Sequence, residues 1–337
     1  MRALLYKAPG EPLSLETIPD PTPGEGEVVI RVARCGVCGT DVHATSGHGF
    51  PLVPGSQLGH EYGGEVVAVG KGVDRFVVGD RLAAMTVVGC GQCDGCKSGI
   101  DLLCTNQFAG YDHGLAEYAR VNARGATKLP ATMTLADSAL VEPISVGGRA
   151  VRLANPDRNS KVVIIGPGPI GLAVLFWLRQ RGVENVVMLA SSGRRKAISA
   201  KMGADKFIVE SDQAKDEIYE ILGGAPDIVF EAVGAPGVIA RSIDLVRGGG
   251  LVVGLGFCLE PDQIIPGMAM IKDVTLRWST TFTRDDFAAS ADAIDRDAEL
   301  ARAMVTDSVG MAQASAAFEE FRKGTGGSGK LQIDPWG

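Results

Sequence analysis

The chain has 337 residues, about twice a usual domain length, and its 45% hydrophobic and 22% charged residues exclude a disordered or fibrous chain. Thirty-three basic against 40 acidic side chains leave a net charge of −7, which argues against a general binder of nucleic acid or anionic membrane. Glycine is the outlier at 45 residues, about twice average usage without a collagen period, so many tight turns and close backbone approaches are expected.

The first stretch carries Pro9 and Glu11 where an export signal needs an apolar run, so a cytoplasmic location is expected. Up to about residue 125, Glu27–Ala33, Gly64–Val69, Arg75–Ala83 and Leu115–Val121 read as strands bounded by Gly and Pro turns. No long amphipathic helix separates them, which predicts a small barrel-like or sandwich domain. Val162–Leu178 lacks charge and approaches the length of a membrane span, but Gly166, Pro167, Gly168, Pro169 and Gly171 break it into strand, turn and helix. No membrane association is expected.

Beyond residue 160, strands at Lys161–Ile165, Val186–Leu189, Lys206–Val209, Asp227–Phe230, Leu251–Gly254 and Val274–Arg277 alternate with helix-like stretches, clearest at Arg194–Met202, Gln213–Leu222 and Gly237–Val246. That alternation predicts a doubly wound parallel sheet, hence an α/β fold. The tail from Asp285 adds helices at Phe287–Ile294 and Ala312–Arg322 and a strand at Lys330–Ile333.

Three motifs carry chemistry. Gly166-Pro-Gly168-Pro169-Ile170-Gly171 follows a strand and opens a helix. The first glycine makes the turn, the second lets backbone approach a pyrophosphate and the third lets helix pack on strand. Cys90, Cys93, Cys96 and Cys104 lie within fifteen residues, a spacing that closes on one tetrahedral structural zinc. A DNA-binding finger is disfavoured because the segment offers only Lys97 against Asp94 and Asp101, and disulfides are disfavoured by the compartment. Finally, Cys38-Gly-Thr40-Asp41-Val-His43 and Gly59-His60-Glu61 supply a thiolate, an imidazole and carboxylates for a metal with one open position. A Cys35–Cys38 redox pair is the alternative, ranked lower without a thioredoxin-like setting.

With Glu142-Pro143, these motifs occur in an order that resembles the zinc-containing alcohol dehydrogenases of the medium-chain dehydrogenase/reductase superfamily, in particular their sorbitol, threonine and glucose dehydrogenase branch. The resemblance implies a GroES-like β-rich catalytic domain over 1–147, completed by 285–337, and a Rossmann coenzyme domain over 148–284. It implies two zinc ions per chain, with Cys38, His60 and either Glu142 or Glu61 on the catalytic one. Glu142 is favoured over Glu61 because neighbours on a strand face opposite ways. Asp41 would orient His60, Thr40 would take the alcohol proton, and His43 would pass it to the surface. Gly166, Gly168, Pro169, Ile170, Gly171, Val233, Gly254 and Gly256 would line the coenzyme. Lys330 would supply a cation to its pyrophosphate, because Gly39 stands where some relatives have an arginine. The implied partner is a small alcohol, polyol, aldehyde or ketone, and the implied assembly a homo-oligomer, dimer or tetramer. A zinc-independent quinone or enoyl reductase of the same fold and a non-catalytic nucleotide-binding protein are the other readings. Phe50, Phe108, Tyr111 and Trp278 are candidates for a pocket wall.

The coenzyme expected is NADP(H). NAD-binding domains place an acid about twenty residues beyond the fingerprint, where this chain has Ala190, Ser191 and Ser192. Gly193-Arg194-Arg195-Lys196 follows, and arginine grips phosphate oxygens in a bidentate fork.

Overall fold

The computed structural model describes all residues except 49–50, 86, 107–112 and 205, so the candidate wall residues Phe50, Phe108 and Tyr111 lie outside the described residues. The chain forms two compact units, Met1–Glu142 with Thr283–Gly337, and Pro143–Phe282. The first division falls in the first turn of the helix Val141–Ala154 rather than at 147/148. The rest of that helix packs within the second unit. Trp177 Nε1 donates to Ile144 O at 2.8 Å, and a Cβ on Gly147 would meet the Ala173 carbonyl carbon at 2.5 Å. Among the described residues no helix is long and apolar enough to cross a membrane.

A seven-stranded sheet builds the first unit. Its longest strand, Glu27–Gly36, pairs antiparallel with Glu61–Val69, Tyr118–Asn122 and the tail strand Lys330–Asp334. Val28, Ile30 and Val32 alternate into a core shared with Leu82, Val121, Met311, Phe318 and Ile333, so the tail helix Met311–Arg322 covers this sheet. Burying each such side chain contributes roughly 1.5–3 kcal/mol relative to exposure. The expected strand Arg75–Ala83 is shorter, Arg81–Ala84. Val77 and Val78 are 62% and 64% exposed on a turn closed by Val77 N–H on Asp80 Oδ2 at 2.8 Å and Asp80 N–H on Val77 O at 3.1 Å. Aspartate turn chemistry outweighs β-branched propensity there. Likewise Leu115–Val121 becomes a strand only at Tyr118–Asn122.

The second unit is a six-stranded sheet in which every pairing is parallel. Numbering its strands Val162–Ile165, Val186–Ala190, Lys206–Val209, Ile228–Glu231, Leu251–Gly254 and Thr275–Trp278 from first to sixth, they lie in the order third, second, first, fourth, fifth, sixth. That is the dinucleotide-binding order, with its switch point between the first and fourth strands. The expected helices are present as Lys196–Lys201, Ala214–Leu222 and Val238–Leu245.

Candidate metal centres and dinucleotide turn

A short helix absent from the sequence expectation, Gly39–Thr45, positions the first cluster. Cys38 precedes its first turn, and Cys38 N–H donates to Asp41 Oδ2 at 3.0 Å, tying the helix start to its own third residue. The other Asp41 oxygen lies 3.4 Å from His60 Nδ1, which fixes the ring and leaves Nε2 as the ligating nitrogen. Burial opposes the charge on Asp41, yet His60 and the Cys38 N–H hold its carboxyl below the ordinary range. Burial also opposes the charge on His60, but Asp41 and Cys38 outweigh it and raise its pKa well above 6.5. Thr40 Oγ1 lies 3.7 Å from Cys38 Sγ, and His43, one turn on, is exposed.

The ligand atoms of Cys38, His60 and Glu61 all lie within 4.8 Å of one another. The expectation that Glu61 turns away from His60 therefore fails. The alternation rule applies within a strand, but the strand starts at Glu61, and Gly59 before His60 has φ +88°. Glu61 lies opposite Gly36, where a Cβ would meet Glu61 Oε2 at 2.1 Å, so Gly36 is the space that the carboxylate occupies. Glu61 Oε2 is buried without a hydrogen-bond partner. A thiol, an imidazole, an orphaned carboxylate oxygen and a glycine cradle together fit a four-coordinate zinc with one position left for substrate. Glu142 stands outside that set and in a helical first turn, not at the end of an extended segment as expected. Burial pushes its carboxyl up to about 7, with His60 opposing and Glu61 reinforcing the rise.

Lys330 is not the open cation expected for a pyrophosphate. It is buried, and its Nζ donates to Glu61 Oε1 at 2.6 Å and to Val37 O at 3.3 Å. Burial lowers its pKa, but Glu61 and Cys38 more than restore it. An otherwise uncompensated carboxylate two strands away, across Glu27–Gly36, recruits the ammonium inward. The sequence signal for this was a lysine opening the apolar run Lys330–Ile333.

The four-cysteine lobe is a second cluster, its sulfurs within 4.8 Å. Cys90 Sγ lies 4.0 Å from Cys96 Sγ, and Cys93 Sγ 3.8 Å from Cys104 Sγ. A tetrahedron of zinc–sulfur bonds near 2.3 Å has edges of about 3.8 Å, whereas a disulfide bond is about 2.05 Å. All four thiols are free. Backbone N–H groups of Gln92 and Cys93 donate to Cys90 Sγ, both at 3.4 Å, as they would to a thiolate. Bonds from the Cys96 and Thr105 backbone lower the Cys93 thiol to about 5. A link unforeseen from sequence anchors the lobe: buried Asp101 accepts from Gly89 N–H at 3.0 Å and takes Arg284 on both oxygens at 2.7 Å.

In the second unit, Gly166 has φ +95°, and a Cβ on Gly171 would meet Gly166 O at 1.9 Å, so both positions require glycine. Gly168 caps the helix Pro169–Gln180 with nothing within 4 Å of a Cβ, and Ile170 sits in its first turn. Open space over the N-terminus of a twelve-residue helix fits a diphosphate. Ala190 ends the second strand, Ser191, Ser192 and Arg194 are exposed, and burial followed by its neighbour Arg194 lowers the pKa of Arg195. Val233 is half-exposed. Gly254 serves strand packing, because a Cβ there would meet the Trp278 ring at 2.4 Å, while Gly256 abuts Gly234. Trp278 itself lies exposed on the sheet's edge strand.

Residues 24–131 match the alcohol dehydrogenase GroES-like domain, and residues 169–296 the zinc-binding dehydrogenase family. Human sorbitol dehydrogenase is 31% identical over 99% of this chain and 96% of its own. The crystal structure of the short chain alcohol dehydrogenase RspB from E. coli CFT073, complexed with NADH, superposes with a TM-score of 0.90 at 28% identity over 99% of each chain. A zinc-binding dehydrogenase from Sinorhizobium meliloti 1021, bound to NADP, superposes with a TM-score of 0.87 at 26% identity over 99% of each chain. A parallel sheet of dinucleotide-binding order together with a thiol–imidazole–carboxylate cluster defines a zinc-type, nicotinamide-dependent oxidoreductase. The chain belongs to the zinc-containing alcohol dehydrogenase family of the medium-chain dehydrogenase/reductase superfamily, among enzymes that act on alcohols and polyols.

Proposed function

We propose that this protein is a zinc-dependent, NADP(H)-preferring dehydrogenase that interconverts a small alcohol or polyol with its aldehyde or ketone. The observation that carries the reading is the convergence of Cys38, His60 and Glu61 within 4.8 Å, which a zinc-independent reductase of the same fold has no use for. Cys38, His60 and Glu61 would hold the catalytic zinc, and Cys90, Cys93, Cys96 and Cys104 a second, structural one. When bound, zinc acidifies an alcohol or polarises a carbonyl, and the nicotinamide exchanges the hydride.

The chain's own residues do the rest. Asp41 holds the His60 ring in its ligating orientation. Glu142, raised to about 7, is proposed to pair with the group in the open position, in the role of partner rather than ligand. Thr40, beside the Cys38 sulfur, accepts the alcohol proton, and exposed His43 on the same helix face returns it to solvent. The NADP(H) preference rests on Ala190, whose small side chain leaves room for a 2′-phosphate, and on Arg194 and Arg195 beyond it.

A homo-oligomer in the cytoplasm completes the proposal. Its support is an apolar surface on the second unit, where the helix Pro266–Ile271 buries none of its residues and Ile265, Met268, Met270 and Ile271 are exposed beside an edge strand. A coenzyme-linked screen of alcohols, polyols and ketones with NADP(H) and NAD(H), with metal analysis of the same sample, tests the function. Turnover with two zinc ions per chain is expected. A zinc-free active enzyme, or no turnover on any substrate, rejects it.

A further inference from the structure

The two turns that flank the switch point are filled differently. The turn after the first strand, Gly166–Gly168, ends in the open helix start described above. After the fourth strand the chain runs Glu231-Ala232-Val233-Gly234, and the successive N–H groups of Val233 and Gly234 both donate to Glu231 Oε1, at 2.6 and 2.8 Å. Consecutive N–H groups converging on one point form an anion nest. Here the chain's own carboxylate fills it.

Glu231 is 2% exposed and gathers more than its own turn. Its backbone carbonyl accepts from Leu255 and Gly256 N–H at 2.8 and 3.0 Å. A Cβ on Gly256 would lie 2.6 Å from Glu231 Oε2 and 2.1 Å from Gly234 N, so that glycine allows the turns after the fourth and fifth strands to close on the carboxylate. The effect reaches the fingerprint. A Cβ on Gly166 would meet Val233 Cγ2 at 2.6 Å, so the Val233 side chain rests on the first fingerprint glycine.

We propose that Glu231 is a positioning residue for the coenzyme. Its carboxylate oxygen occupies the nest after the fourth strand, leaves the fingerprint turn as the open anion site, and fixes Val233 as the apolar wall beside it. This rests on the second unit binding a dinucleotide.

The test titrates the full-length protein with NADPH and NADH by coenzyme fluorescence, alongside zinc content, thermal midpoint and steady-state kinetics. Glu231→Ala is expected to raise the coenzyme dissociation constant about tenfold, with coenzyme KM rising more than kcat falls and zinc content unchanged. Glu231→Gln keeps an oxygen for both N–H groups and is expected to stay within about threefold of the unmodified protein. Val233→Ala should weaken binding in the same direction, and the double variant should lose less than the sum. An unchanged dissociation constant in Glu231→Ala overturns the proposal, as does equal loss in Glu231→Ala and Glu231→Gln. If Glu231→Ala does not fold, Val233→Ala decides, and unchanged binding there overturns it. Failure of the unmodified protein to bind either coenzyme defeats the dinucleotide reading itself, a result visible before any variant is made.

Discussion

Lys330 Nζ and Glu61 Oε1 are 2.6 Å apart in a pair that solvent scarcely reaches, with side chains 1% and 0% exposed. Removing one partner leaves the other charge buried without compensation, which costs about 3–5 kcal/mol. Lys330→Met is therefore expected to lower the unfolding free energy of the metal-free protein by that amount in urea. Combining Lys330→Met with Glu61→Gln should recover much of the loss. Additive losses in the double variant would show that the pair does not hold the tail strand.

Glu142 gives the metal-free protein a pH dependence with a definite sign. Its folded pKa, about 7, lies above its ordinary 4.5, so its proton stabilises the fold fully below 4.5 and that contribution disappears as pH rises to about 7. The raised pKa of His60 acts in a higher window, being lost above 6.5, and the lowered one of Asp41 in a window below 3.8. The thermal midpoint of chelator-treated protein is expected to fall from pH 5 towards 7, and Glu142→Gln to flatten that slope. A slope identical in both proteins rejects the assignment.

The two metal clusters share no ligand and are expected to fail separately. Cys38→Ser should lose one zinc of two and all turnover while keeping its thermal midpoint within a few degrees. Cys96→Ser should lose the other zinc and melt several degrees lower, because a closed site contributes folding energy. Metal analysis and calorimetry on the same preparations check both, and loss of both ions in either variant contradicts independence.

The proposed coenzyme preference is tested at the end of the second strand. Ala190→Asp places a carboxylate where a 2′-phosphate would lie and is expected to shift the NADP(H)-to-NAD(H) ratio of kcat/KM by about tenfold or more towards NAD(H), ~1.4 kcal/mol. Unmodified protein that already favours NAD(H) would remove the basis for the preference.

The parallel sheet was legible because its signals are local: apolar strands, a glycine fingerprint at one turn and strand–helix alternation. The cysteine lobe was legible for the same reason. Side-chain direction at Glu61 was not, since it depends on the backbone turn at Gly59 and on the vacancy that Gly36 leaves on the opposite strand. The inward lysine was missed because its partner lies 269 positions away in sequence. Glu231 went unnoticed because one acid at a strand end carries no pattern of its own. The helix Gly39–Thr45 escaped because Gly, Thr and Val are weak helix formers, and its start rests on the capping contacts between Cys38 and Asp41.

The tail strand Lys330–Asp334 lies beside Glu27–Gly36 inside the first unit's sheet. In chain order all of Pro143–Phe282 precedes that strand, so the sheet begun in the first 142 residues is completed only by a strand beyond the whole second unit. Until residue 330 is made, a nascent chain therefore carries Glu61 without its ammonium partner. The first unit, although begun earlier in the chain, is thus the later of the two to be completed in sequence.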